Sequence, residues 1–202
     1  LQRVLPVIEA LRDKNIPLSI DTQKAAVMDA AVKAGASMIN DVNALRAEGA
    51  LQIAAQSSAG ICMMHMIGTP QTMQQLIDYN DVLVEVKNYL LSRAQAAEDA
   101  GIVKKRIALD PGFGFGKRTV HNLALLRGLS SIADSGYAVL AGLSRKSIFG
   151  ELTGKLTAER VSASIAAAVI AAQNGASIIR VHDVAATKDA LAVLQAVQTN
   201  QG

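Results

Sequence analysis

Short apolar runs alternate along the chain with longer stretches of helical spacing, and each apolar run ends in polar residues. The runs fall at 16–21, closing on Asp21; at 36–41, closing on Asn40 and Asp41; and at 60–66, which carries His65 near its end. Three more follow at 107–110, closing on Asp110; at 136–147, closing on Ser144, Arg145, Lys146 and Ser147; and at 178–183, closing on Arg180, His182 and Asp183. Runs this short, bounded by glycine and polar residues, predict buried strands. Helices are expected between them at 1–11, 23–34, 48–57, from 80 or 81 to 100, and at 120–135, 157–174 and 187–198. Thr22 and Thr157 are placed as caps, and Gly35, Gly101 and Gly175 stop three of the helices. Residues 68–79, with Thr69, Pro70 and several glutamines, read as a longer loop.

Strand and helix in strict alternation imply a parallel sheet covered by helices. The unit repeats in detail, because Gly35, Ala36 and Ser37 precede one strand as Gly175, Ala176 and Ser177 precede another. An open doubly wound sheet concentrates function where its strand order reverses. Polar residues at the ends of all six strands instead fit a TIM (β/α)8 barrel, whose site is assembled from many strand ends around one mouth. Six of the eight βα units are read here. The chain opens on Leu1 within a helix already in progress, so an N-terminal portion holding two strands is expected to be absent from a single domain spanning 1–202.

Composition narrows the partners. Half of the 202 residues are hydrophobic, only 3% are aromatic, and none is Trp, as suits helices packed on buried strands. A net charge of +3 without a basic stripe argues against nucleic acid. The longest charge-free apolar stretch, 161–175, is too short for a bilayer, so no membrane association is expected. The lone cysteine, Cys62, sits among apolar residues and reads as packing in a reducing cytoplasm.

The most informative stretch runs from Ile107 to Lys117. It is neither G-x-x-x-x-G-K-[ST] nor G-x-G-x-x-G, because Pro111, Arg118 and Lys117 occupy the wrong places. Its glycines permit close approach to a flat ligand, with Phe113 and Phe115 offering ring faces, while Lys117 reads as a rim residue. Asp110 can accept two hydrogen bonds from a guanidine-like heterocycle edge, and Asn40 can both donate and accept beside it. Arg180 and His182, two residues apart, make an anion site. Asp21 and Asp41, taken singly, are as well suited to capping a helix as to chemistry, and His65 reads as a core or mouth-lining residue. No His, Cys or Asp spacing makes a convincing metal site.

Together the strings LSIDT (from Leu18), IND (from Ile39), MHM (from Met64), LDPGFGFGK (from Leu109), GLSRKS (from Gly142) and IRVHD (from Ile179) resemble dihydropteroate synthases of the folate pathway. That resemblance implies a pterin-binding barrel and a cytoplasmic transferase. Its reaction condenses 6-hydroxymethyl-7,8-dihydropterin pyrophosphate with p-aminobenzoate, giving 7,8-dihydropteroate and pyrophosphate. It further implies that Asp21, Asn40, Asp110 and Lys146 hold the pterin, with Met64, Gly114 and Gly142 lining its slot. Phe115, Ser144 and Ser147 would form the p-aminobenzoate pocket, where sulfonamides compete, and Arg180 and His182 would take the pyrophosphate. Lys146, Arg180 and His182 carry the catalytic roles. Mg2+ is the implied cofactor, with no ligand from this chain because the family's ligand lies in the expected missing strand; the chain alone is expected to be inactive. A homodimer through the Val161–Gln173 helix is expected, since that helix is apolar or small on every side. The alternatives are a methyltetrahydrofolate-type pterin-binding methyltransferase and a non-catalytic pterin-binding relative.

Overall fold

The computed structural model describes residues 1–68, 73 and 77–199; most of the loop expected at 68–79 lies outside the described residues. Two compact units make up the chain, Leu1–Met66 with Asn88–Asp110, and Ile67–Lys87 with Pro111–Gly202.

The first unit holds helix α1 (Leu5–Leu11), then β1 (Ser19–Asp21), α2 (Ala25–Ala34), β2 (Met38–Asp41), α3 (Ala50–Gln56) and β3 (Gly60–Met64). The part of α4 (Val82–Asp99) from Asn88 onward and β4 (Ile107–Asp110) complete it. All four strands are parallel and pair in chain order, Asp21 beside Asn40, Asn40 beside Cys62, and Met64 beside Asp110. Because successive strand residues alternate between faces, this register puts Asp21, Asn40, Cys62, Met64 and Asp110 on one face. Ile20, Ile39, Asp41, Ile61, Met63 and Leu109 take the other. Both faces are largely buried, which is why the strands read as continuous apolar runs rather than alternating ones. In α4, Leu90, Ala94 and Ala97 form one fully buried stripe at helical spacing. Arg106 ties the start of β3 to α3: it donates to the Ala59 carbonyl at 2.7 and 2.9 Å and to the Ala54 carbonyl at 3.0 Å.

The second unit contains α5 (Thr119–Arg127), α6 (Leu129–Ala133), β5 (Ala138–Ala141), α7 (Ser147–Thr153), α8 (Val161–Gln173), β6 (Ile178–Ile179) and α9 (Val184–Thr199). Strands β5 and β6 are parallel, Ala141 pairing with Ile179, and the Arg180 N–H extends the ladder by donating to the Ala141 carbonyl at 3.0 Å. The six strands alternate with helices as the pattern of apolar runs predicted.

Boundaries differ in instructive ways. The single helix expected at 120–135 is two, because Gly128, at φ −92° and ψ 12°, leaves helical geometry between buried Leu126 and Leu129. Thr157 does not cap α8; it starts a short 3-10 turn ending at Glu159, whose carboxylate accepts the Leu156 N–H at 2.9 Å. No helix is expected between Ser147 and Thr157, yet α7 forms there and buries Ile148 and Phe149. Helix α2 starts two residues later than expected, with Thr22 Oγ1 accepting the Lys24 N–H at 3.2 Å ahead of it.

Candidate active site

In the first unit, three strand ends deliver the residues expected to hold a pterin. Asn40 Nδ2 donates to Asp21 Oδ2 at 3.2 Å, so β1 and β2 present an amide–carboxylate pair directly across their ladder. Asn40 is 6% exposed, and its Oδ1 is buried with no hydrogen-bond partner among the described residues. Buried acceptors are almost always satisfied, so this oxygen marks a place for an incoming donor. Asp110, 7% exposed, and Met64 share that face, and the Asp110 carbonyl accepts the His65 N–H at 3.0 Å, continuing the β3–β4 ladder to the strand tips. Buried His65 packs edge-to-face on Tyr89 at 4.9 Å between centroids, which bears out its core placement, and Cys62 is fully buried.

Asp41 belongs to the opposite face and has a structural task. Its carboxylate accepts the N–H of Asn43 and of Leu45, both at 2.8 Å, and burial pushes its carboxyl above the ordinary range.

The second unit builds the glycine-rich loop and the cationic strand ends. Gly112, Gly114 and Gly116 take positive φ of 68°, 79° and 61°, which accounts for glycine at every second position. The loop is tied from within. Asn122 Oδ1 accepts the Gly114 N–H at 2.7 Å, while its Nδ2 donates to the carbonyls of Lys117 and Arg118 at 3.3 and 2.9 Å. Tyr79 Oη donates to the Gly116 carbonyl at 3.1 Å, and burial pushes its phenol above the usual range. Lys117 is not on a rim. It is 4% exposed, and its ammonium donates to the Gly112 and Phe115 carbonyls at 3.0 Å each, stitching the loop to itself. Phe113 offers no ring face, being fully buried, whereas Phe115 stays half-exposed.

Lys146 reaches this loop. Its Nζ donates to the Phe113 carbonyl and stands 4.7 Å from the centroid of the Phe115 ring, a cation–π contact. A Cβ added to Gly114 would lie 3.2 Å from Lys146 Cδ, so glycine here also makes room for the lysine stem. Gly142, Ser144, Lys146, Arg180, Val181 and His182 line one hollow of about 160 Å³. His182 donates its backbone N–H to Ser144 Oγ at 3.2 Å, and its Nδ1 lies 2.9 Å from the same oxygen. The strand does not run on to Lys146: β5 ends at Ala141, and Arg145 turns the backbone to a left-handed φ of 57°. Ser147 is exposed at the start of α7 and lies outside the residues lining this hollow.

Asn122, Tyr79 and Asp183 were not singled out for function in the sequence. The signal for Asn122 was an amide in an otherwise apolar helical stretch, TVHNLALL, a residue type that seeks backbone partners.

These features define a parallel α/β fold whose strand ends carry an amide–carboxylate pair in one unit and basic side chains around a hollow in the other. The chain belongs to the pterin-binding enzyme family, whose profile matches residues 1–182. Among its relatives within that family are dihydropteroate synthases. The one from Escherichia coli K12 is 46% identical over 197 residues, covering 97% of this chain and 70% of the relative. Among solved structures, the Xanthomonas albilineans dihydropteroate synthase with 4-aminobenzoic acid superimposes with a TM-score of 0.93 at 53% identity, covering 98% of this chain and 71% of that one. The same synthase in complex with 7,8-dihydropteroate gives 0.92 at 53% identity, over 98% of this chain and 76% of that one. The barrel class and the transferase class read from the motifs are both borne out, with neither the methyltransferase nor the non-catalytic alternative among these relatives.

Proposed function

We propose that the residues assigned above serve the dihydropteroate synthase condensation. The observation that carries the assignment is the buried, unpartnered Asn40 Oδ1 beside the Asn40–Asp21 hydrogen bond, on the strand face that also presents Asp110. A pterin edge carries ring N–H and exocyclic NH2 donors, and carboxylates with an amide oxygen are the complementary acceptors. Of the further residues assigned to the pterin, Met64 belongs to the first unit and Gly142 and Lys146 to the second, where Gly114 leaves room for the lysine. Phe115, Ser144 and Ser147 receive p-aminobenzoate, for which sulfonamides compete. Arg180 and His182 take the pyrophosphate.

Chemically, the C–O bond at the pterin methylene breaks as the pyrophosphate departs with the bonding pair, and the arylamine nitrogen then forms the new C–N bond and loses a proton. Cationic groups fixed where negative charge accumulates lower the barrier to the first event. Mg2+ is the proposed cofactor, with no ligand assigned from these residues: among the described residues no group of three or more His, Cys, Asp or Glu could hold a metal ion, and Asp183 is engaged by Arg145. No step is assigned to the ion. Burial of the lone Cys62 suits a cytoplasmic setting, and among the described residues no helix is long and apolar enough to cross a membrane.

Mixing full-length protein with both substrates should release pyrophosphate in step with 7,8-dihydropteroate. In Arg180→Ala, turnover should fall about 100-fold or more with pterin affinity nearly unchanged, as expected when a transition-state contact is lost. Equal losses in turnover and pterin binding would overturn the leaving-group role.

A further inference from the structure

Lys146 and His182 sit on two different loops, after β5 and after β6, and one question is what holds those loops in register. Two adjacent cross-links do so. The first is the Ser144–His182 contact already described. In the second, Arg145 Nε donates to Asp183 Oδ2 at 2.9 Å and Arg145 Nη2 to Asp183 Oδ1 at 2.5 Å, a two-pronged fork that fixes distance and angle together. The Arg145 backbone is immobilised as well. Its N–H donates to Ser164 Oγ at 2.8 Å, and Arg160 Nη1 donates to the Arg145 and Lys146 carbonyls at 3.2 and 3.4 Å. A non-glycine residue at φ 57° costs conformational energy and persists only where its surroundings over-determine it.

We propose that Arg145 and Asp183 are positioning residues, forming a latch that holds the Lys146 loop against the Arg180–His182 loop so that Arg180 and His182 are fixed on one phosphate group beside Lys146. This rests on the reading of the hollow as the pyrophosphate site. The latch also assigns Arg145 its place: its charge is spent on Asp183, leaving Lys146, Arg180 and His182 to line the hollow.

The latch makes an unusual demand on the experiment. Asp183→Asn removes a negative charge close to an anion site, so simple electrostatics expects tighter pyrophosphate binding. Loss of positioning expects the reverse. Titration calorimetry with inorganic pyrophosphate on the 202-residue chain should show about three- to fivefold weaker binding for Asp183→Asn and Arg145→Ala, the scale of a partly exposed fork. Arg145→Lys, which keeps the charge and loses the fork, should weaken binding to a lesser degree. The exchanged pair Arg145→Asp with Asp183→Arg should recover most of the affinity, since Asp tolerates left-handed φ better than most residues. Thermal melts identify any variant that has lost its fold, and the exchanged pair then decides. Unchanged or tighter binding in Asp183→Asn, with Arg180→Ala weakened as expected, overturns the latch and leaves the pyrophosphate reading standing. No binding by the unsubstituted chain, or binding indifferent to Arg180→Ala, overturns the reading of the hollow and the latch with it.

Discussion

Gly114 shows how closely one residue couples backbone shape to chemistry. Its φ of 79° lies where L side chains are strained, and its missing Cβ leaves the space that the Lys146 stem occupies. Gly114→Ala therefore combines two penalties: about 1–2 kcal/mol for an alanine in left-handed geometry, and a contact at 3.2 Å that the lysine must yield to. Urea denaturation should register the first, and a loss of turnover exceeding any stability defect the second; a variant with both intact would show that the loop can refit around a methyl group. At this scale the sequence was legible wherever a residue's task follows from its type and its place at a strand end. Parallel pairing sets Asn40 beside Asp21, where the sequence had set it beside Asp110, and the contact of Lys146 with the glycine-rich loop was not announced by any spacing. Phe113 and Lys117 were misplaced for a shared reason. Within a loop of alternating glycines no period fixes which side each residue takes, and here both turned inward, the lysine because its own loop supplies carbonyls to its ammonium.

Elements were legible in number and order, less so at their joints. A buried strand announces itself by apolar density, but the turn after it is decided by hydrogen bonds that spacing does not encode. The turn following β2 is such a case. Ala44 and Leu45 both adopt left-handed φ, 52° and 58°, although neither is glycine and both are buried. Two acceptors on Asp41 hold the turn from one side, and Arg93 Nε holds it from the other by donating to the Ala44 carbonyl at 2.9 Å. Asp41→Asn keeps one acceptor and sets an NH2 against an N–H, so it should destabilise the protein by about 1–3 kcal/mol at neutral pH, the cost of one unsatisfied buried donor. The pH dependence has a definite sign. Burial raises this carboxyl in the folded state above its usual 3.8, so the folded protein binds the proton more readily and the cost of the buried charge fades as pH falls towards that value. The deficit of Asp41→Asn should accordingly widen on acidification in urea melts; a deficit that shrinks would mean the carboxylate is not held as a desolvated charge. Asp183 has the opposite sense. The Arg145 fork holds its carboxyl below the usual range, so its contribution is present above the ordinary carboxylate value and is lost as pH falls through the lowered one.

For the molecule as a whole, the remaining question is what becomes of apolar surface that a lone chain exposes. Expecting a second copy at α8 rested on that helix having no polar stripe. It does bury Ser164, Ala167, Ala168 and Ala171, the spacing of a single inward face, which leaves Ile170 as its one large exposed apolar side chain, at 43%. Helix α9, which packs on α8, exposes more: Val193 at 66% and Val197 at 72%. Nothing in the spacing of either helix distinguished an outer face awaiting a partner from one left wet, because small residues suit both. If a homodimer forms on these helices, its contact should draw on α9 at least as much as on α8. Light scattering behind size exclusion should then give twice 21.1 kDa for the chain. Placing a charge at Ile170 or Val197 should shift it towards the monomer, since an ionised group in a dry contact costs several kcal/mol unless paired. A dimer indifferent to both substitutions would place the contact elsewhere, and a monomeric unsubstituted chain would show that these valines are ordinary exposed side chains.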